Sequence, residues 1–463
     1  MSFIIFLIQM LKRILRVLLI FIAILLFVSL FVFTWVDRTP YKEMDYYTET
    51  ISEIESGNKS NLLSIGDTLE IGWAKETLLS GKPVPMAGYG ARHGALYEAV
   101  HDSVWVKTFV FDNKDTKFAF VTMDLLLVPM EVAILLPEAL DSLGFSLGNT
   151  FLTATHTHCS IGAWGTGMAG ELFAGDYSQE TVDFLVRAIA KSISKAESKK
   201  EKSKIGYTEI QASDLVSNRL VGDQEGTIDP WLRMLKFVNK SNKTALLTTF
   251  SAHATCLHHS FHQVSGDYPG EFCRNLENPE KIDFAAFSAG AVGSMAPLVP
   301  QLSGWPKVDR YADQLAEQVL QVENFIPVHV DSILGGFNLN LKLREPHFRV
   351  SENIRVRPWV FKALFGGYPS RITSFRIGNI LFVGTPCDFS GELMEGLSKK
   401  ARDKGLYLII TSFNGGYTGY ITRDKWYDRD TYETRMMNWF GPYNGTYFNE
   451  IIEKVIEMHA SKK

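Results

Sequence analysis

Cysteine, proline-rich linkers and excess positive charge are all scarce in this chain, and each scarcity excludes something. Four cysteines among 463 residues are too few for a disulfide-built scaffold. A formal net charge of −4 leaves no basic footprint for nucleic acid. No repeat, low-complexity tract or proline-rich linker divides residues 62–463, which read as one α/β domain with a mixed sheet flanked by helices. Past the N-terminal region no second long uncharged run occurs. What is present is a hydrophobic content of 46% and an aromatic content of 12%, ample for a large buried core.

The N-terminal region is of a different kind. Val17 to Val36 is an uncharged stretch of 20 residues, preceded by Lys12, Arg13 and Arg16 and followed by Asp37. At about 1.5 Å per residue such a helix matches the hydrocarbon core of a bilayer. The basic residues on its N-terminal side predict a cytoplasmic segment 1–16, a transmembrane anchor 17–36 with Trp35 at the interface, and an extracytoplasmic body. No small-x-small cleavage site marks its end, so an uncleaved anchor is expected rather than a signal peptide. The polar, acidic segment 37–61 reads as a membrane-proximal stalk.

Periodicity supplies the remaining elements. Val104–Phe111 and Lys117–Met123 predict a hairpin, as do Leu232–Val238 and Thr244–Phe250. Asn149–Thr155, Ile282–Phe287, Ile333–Leu343, Ile372–Ile377, Ile380–Val383 and Leu406–Thr411 read as strands. Helices are expected over Glu131–Leu143, Gln179–Lys195, Asp309–Val322, Ser390–Arg402 and Glu450–His459. The lysine-rich run from Lys191 to Lys204 fits a solvated helix end and loop, with a lipid-headgroup contact as the alternative. The segment Arg355–Phe365 interleaves Trp359, Phe361, Leu364 and Phe365 with Arg355, Arg357 and Lys362. That pattern suits either ordinary packing or an interfacial segment near the anchor.

Chemistry concentrates in a few loops. Of 11 histidines, six fall in the windows 156–158 and 253–262. His156 and His158 are two apart at the end of an expected strand, where alternation puts them on one face. His253, Asp388 and Tyr420 follow other strand ends. Two imidazoles with oxygen donors suit Zn²⁺ in a site with one position open for water. Taken singly these residues have plainer readings: His253 as a core histidine, Asp388 as a helix N-cap, Tyr420 as a core aromatic. Cys159, Cys256 and Cys387 lie within the same motifs, where they fill small buried space or offer a thiol.

These motifs resemble, in order, those of the neutral (alkaline, non-lysosomal) ceramidases, zinc amidases that cleave the N-acyl bond of ceramide. Met86-Ala87-Gly88-Tyr89-Gly90, His101-Asp102 and Phe120-Val121-Thr122-Met123-Asp124 are similar to the opening segments of that family. Ala154-Thr155-His156-Thr157-His158 resembles its histidine motif, with Cys159 in place of a usual serine. Asn218-Arg219, His253-Ala254-Thr255, His262, Ser265-Gly266-Asp267, Pro386-Cys387-Asp388-Phe389 and Tyr417-Thr418-Gly419-Tyr420-Ile421-Thr422 follow, with Tyr432-Glu433 and Gly441-Pro442 downstream. The resemblance implies zinc held by His156, His253, Asp388 and Tyr420. It makes His158 the proton carrier to the scissile amide and gives Arg219 the oxyanion or the polar head of the substrate. Cleavage by metal-activated water is the implied chemistry.

Three departures qualify the likeness. Ala296, in Gly293-Ser294-Met295-Ala296-Pro297-Leu298, stands where the family has a functional serine, and Ser294 stands where it has aspartate. Ser294 is therefore a candidate catalytic group, although a serine nucleophile is disfavoured. Asp388 replaces a glutamate and is one methylene shorter. The expected catalytic domain ends without the C-terminal β-sandwich domain of the ceramidases. The resulting expectation is a membrane-anchored zinc amidohydrolase acting on a ceramide-like or other N-acyl lipid. A zinc esterase or peptidase-like hydrolase and a noncatalytic lipid-binding protein are the alternatives.

Overall fold

A computed structural model describes residues 2–56, 62–277, 281–367 and 369–460. The far end of the expected stalk, 57–61, lies outside the described residues, as do parts of the expected domain at 278–280, 368 and 461–463.

Two sheets make the body, as the α/β reading expected. The larger has eight strands in the spatial order Phe284–Ala289, Thr244–Phe250, Trp231–Asn239, Glu201–Gln211, Glu70–Thr77, Trp105–Asp112, Lys117–Met123, Thr150–Ala154. Its interior pairs are antiparallel, and the outermost pair at each edge is parallel. The sheet curls until those edges meet, where the Thr153 and Ser288 hydroxyls share a hydrogen bond of 2.8 Å. Thr122 also donates to the Phe287 carbonyl at 2.6 Å. The C-terminal ends of Thr150–Ala154, Thr244–Phe250 and Phe284–Ala289 are thereby gathered at one place.

The smaller sheet orders Leu63–Ile65, Ile333–Leu341, Ser370–Ile377, Ile380–Gly384 and Tyr407–Thr411. Phenylalanines join the two sheets. Phe111 meets Phe375, and Phe120 meets Phe382, each with ring centroids 5.1 Å apart. Fully buried rings at tilted or edge angles contribute about 0.5–1.5 kcal/mol per pair beyond their buried area, which fixes how the sheets sit on one another.

Helices cover the outer faces. Gln179–Ser198 starts where the Ser178 side chain accepts from the Thr181 amide, and it buries Val182, Leu185, Ile189 and Ile193 along one stripe. Both expected hairpins form. Two strands of the large sheet were not expected. Glu70–Thr77 and Glu201–Gln211 carry lysines and glutamates through the middle of the large sheet, so part of the run read as a solvated loop is a strand. Nor does Asp388 cap a helix. Asp388–Phe389 pairs in parallel with Tyr420–Ile421, and the cap beyond it is Ser390, which accepts from the Glu392 amide.

The apolar helix runs over Ser2–Val32, longer at its start and shorter at its end than the expected span. Among the described residues it is the one helix long and apolar enough to cross a membrane, and none of its apolar window is buried. Phe33–Trp35 leave it to pair with Ile354–Val356. The segment expected as a stalk is docked on the body. Its helix Asp45–Ser56 buries Tyr46, Thr50 and Ile54, and Tyr447 donates to the Thr50 hydroxyl at 2.9 Å.

Candidate metal centre

Three imidazoles converge at the gathered strand ends. His156, His158 and His253 each offer a ring nitrogen, all within 4.8 Å of one another. The route is not the expected one. The strand stops at Ala154, and His156 adopts a left-handed backbone with φ +64°, so a turn rather than strand alternation aims the two side chains together. Phe413 stacks on the His156 ring, with centroids 3.9 Å apart. Gly88, itself at φ +120°, lets the backbone pass so close that a β-carbon there would lie 2.6 Å from the His158 α-carbon.

Two of the rings are held by backbone carbonyls, which can only accept. His156 Nδ1 donates to Leu126 O at 2.6 Å, and His253 Nδ1 donates to Val292 O at 3.0 Å. The Nε2 atoms then carry lone pairs, and they face each other at 2.9 Å. His158 Nε2 lies 3.1 Å from that of His156. Burial holds all three far below the ordinary histidine range, His156 at about 3. Neutral imidazoles with inward lone pairs repel one another unless a cation lies between them.

A carboxylate closes the cluster. Asp388 Oδ1 is buried without a hydrogen-bond partner, 3.5 Å from His253 Nε2 and 3.8 Å from His156 Nε2. Its other oxygen accepts from the Tyr417 hydroxyl at 2.6 Å. Burial pushes its pKa up to about 7, against the Tyr417 hydrogen bond and the Arg219 cation, which lower it. Tyr420 brings its hydroxyl to 3.5 Å from His253 Nε2. Arg219 donates to that hydroxyl at 2.8 Å and approaches Glu433 Oε1 at 3.0 Å. Burial and the Asp388 charge raise the Tyr420 pKa well above its ordinary value, and the Arg219 cation offsets them only in part. An orphaned carboxylate oxygen, two carbonyl-held imidazoles and a guanidinium-paired phenol form a donor set that fits a divalent metal.

The structure brings His156, His158, His253, Asp388 and Tyr420 into one cluster, with Arg219 behind it. Arg219 does not line the adjoining cavity, and its contacts run to Tyr420 and Glu433 rather than toward a substrate. Ser294 lies behind the cluster, its carbonyl accepting from the Arg219 amide at 2.9 Å. Its hydroxyl is fully buried against that of Ser390 at 2.6 Å and does not line the cavity, so its expected reach to a substrate is not seen. All four cysteines are free and buried, and the Cys159 thiol, pushed up to about 12 by burial, accepts from Arg92 at 3.1 Å. The sequence offers Tyr417 and Glu433 only as parts of motifs. Their partners, Asp388 and Arg219, are remote in sequence, and the Tyr417-x-x-Tyr420 and Tyr432-Glu433 motifs are the available signals.

A cavity of about 530 Å³ opens beside the cluster. His156, His158, Asp388 and Tyr420 form its floor, while Leu127, Trp164, Phe173, Phe361 and Trp439 supply apolar walls.

Residues 80–303 match the family model described as neutral/alkaline non-lysosomal ceramidase, N-terminal. The neutral ceramidase of Pseudomonas aeruginosa is 23% identical over 333 residues, covering 67% of this chain and 48% of that protein. The chain thus spans about half the length of this curated relative. The crystal structure of neutral ceramidase from Pseudomonas aeruginosa superimposes with a TM-score of 0.72 at 17% identity, over 86% of this chain and 75% of that one. A structure of a ceramidase complexed with C2 gives 0.72 at 16% identity, over 84% and 74%.

Proposed function

We propose that this chain, whose residues 80–303 match the neutral/alkaline non-lysosomal ceramidase model, hydrolyses the N-acyl amide bond of a ceramide-like or other N-acyl lipid. His156, His253, Asp388 and Tyr420 would hold Zn²⁺. The observation that carries this reading is the unpartnered Asp388 Oδ1, aimed between two inward imidazoles at the floor of an apolar cavity.

Zinc would supply Lewis acidity and a nucleophilic water at neutral pH. The rest falls to side chains. His158 lines the cavity beside His156, where its ring would take a proton and pass it to the leaving amine. An amide nitrogen leaves poorly unless protonated, which is why such a carrier is needed. Arg219 positions the Tyr420 oxygen and favours its ionised form as a ligand. The apolar walls would seat an acyl chain and exclude water from the reacting carbonyl. The apolar N-terminal helix would anchor the enzyme, with Lys12, Arg13 and Arg16 favouring a cytoplasmic start and an extracytoplasmic body.

The test is release of fatty acid from matched amide and ester substrates carrying one acyl chain. Amide cleavage that stops on chelation and returns with zinc is expected. Cleavage of the ester alone favours the esterase reading. Lipid binding with no metal-dependent turnover marks a noncatalytic protein and ends the proposal.

A further inference from the structure

The C-terminal end of the apolar helix is bound to the wall of the cavity. A helix ends with carbonyls that lack intrahelical partners. Here Arg357 donates its side chain to Leu30 O at 3.1 and 3.3 Å and its amide to Val32 O at 2.7 Å. The Trp359 indole N–H donates to Phe31 O at 3.0 Å. A cation at this end also meets the negative pole of the helix. The strand pair Phe33–Trp35 with Ile354–Val356 continues the clasp.

The clasped segment then forms the short helix Pro358–Phe365, and its inner side chains Phe361 and Phe365 line the cavity beside Trp439. Gly167–Ala174, a second short helix, packs against it and sends Phe173 into the same cavity. Thr166, Lys362 and Gly366, on these two helices and at their ends, are exposed lining residues, so the helices form one side of the mouth, with Lys342, Glu345 and Tyr432 exposed elsewhere on its rim. Around the mouth, Met168 is 68% exposed, Trp359 57% and Leu172 50%. Apolar side chains exposed together on two packed helices form a patch of the kind that marks a membrane or partner contact.

We propose that this mouth is seated in the same bilayer that holds the Ser2–Val32 helix, so that acyl substrate enters the cavity sideways from the membrane. Arg357 and Trp359 are the positioning residues that set the mouth at the interface. The occupant follows from continuity: Trp359 is hydrogen-bonded to the last turn of the apolar helix and therefore shares its depth. The entry route rests on the N-acyl lipid reading of the site. The seat of the mouth does not.

The experiment uses the full chain in phosphatidylcholine vesicles. In the first arm, the fluorescence of Trp359, taken as the difference between wild type and Trp359→Phe, is measured in vesicles brominated high on the acyl chains. Quenching by bromine is expected; a component quenched by aqueous iodide and untouched by bromine overturns the proposal. In the second arm, Arg357→Ala/Trp359→Ala is expected to lose about tenfold in turnover of a bilayer-embedded long-acyl amide. The same protein should keep its turnover of a water-soluble short-acyl amide, which also certifies folding. Equal loss on both substrates, or on neither, overturns lateral entry. If wild type cleaves no amide, the functional reading fails and the route fails with it, while the quenching still decides where the mouth sits.

Discussion

Asp388 and His158 mark the division of labour at the residue scale. Asp388 has one oxygen spoken for by Tyr417 and one aimed at the imidazole nitrogens. Tyr417→Phe removes the bond that orients the carboxylate and should weaken zinc binding by about 10–100-fold, read by competition with a chelator. Wild-type affinity would show that the orientation comes from elsewhere. His158 is close enough to His156 to serve as a third imidazole ligand, so its assignment as proton carrier has a direct check. His158→Ala should retain zinc yet lose at least about a hundredfold in turnover; loss of metal would make it a ligand instead. The histidines were legible in the sequence because clustering in two windows is rare for a scarce residue. Asp388 and Tyr420 were legible only as part of the ensemble of polar groups at strand ends, since a carboxylate near a helix start and a tyrosine near a strand each have commoner explanations alone. Arg219 was found but its contact was not. Nothing in the chain's order shows that Tyr420 and Glu433 occupy its guanidinium.

Strand ends and the loops after them do the positioning at the element scale. The fold class and both hairpins were readable from alternation and turn residues, whereas Glu70–Thr77 and Glu201–Gln211 were missed. Their charged side chains alternate with buried ones: in the latter, Ser203 and Ile205 face inward between exposed lysines 202 and 204. A polar run in the middle of a sheet hides a strand from any reading weighted by hydrophobicity. The His156 loop was misjudged for a related reason, because a left-handed residue that is not glycine leaves no mark in composition. The sharpest prediction at this scale concerns Gly88. A β-carbon there meets the His158 backbone at 2.6 Å and adopts an unfavourable φ. Gly88→Ala should cost about 1–3 kcal/mol in unfolding free energy and displace His158, read by denaturation and by turnover together. A stable and fully active variant would show that the loop can yield.

At the scale of the whole molecule, the buried histidines away from the site make stability depend on pH. Burial, reinforced by Arg376 for His459 and chiefly by Arg355 for His347, lowers both to about 3. In the unfolded chain each takes a proton near pH 6.5. Their folded values are depressed, so the unfolded state binds more protons below that point, and stability falls as pH drops from about 6.5 toward 3. Each group contributes roughly 1.4 kcal/mol per pH unit within that window. Thermal melting from about pH 7 to about pH 4.5 should therefore drop more steeply for wild type than for His459→Gln. Parallel slopes would mean that the histidine is protonated in the fold.

The same scale holds the central claim, that segments from both sheets meet to grip one cation. Elemental analysis of the full-length protein beside His156→Ala measures it directly. The account predicts stoichiometric zinc in the wild type and its loss from the variant, with folding intact by circular dichroism. A metal-free wild type after growth in zinc, or a variant that keeps its zinc, would contradict it.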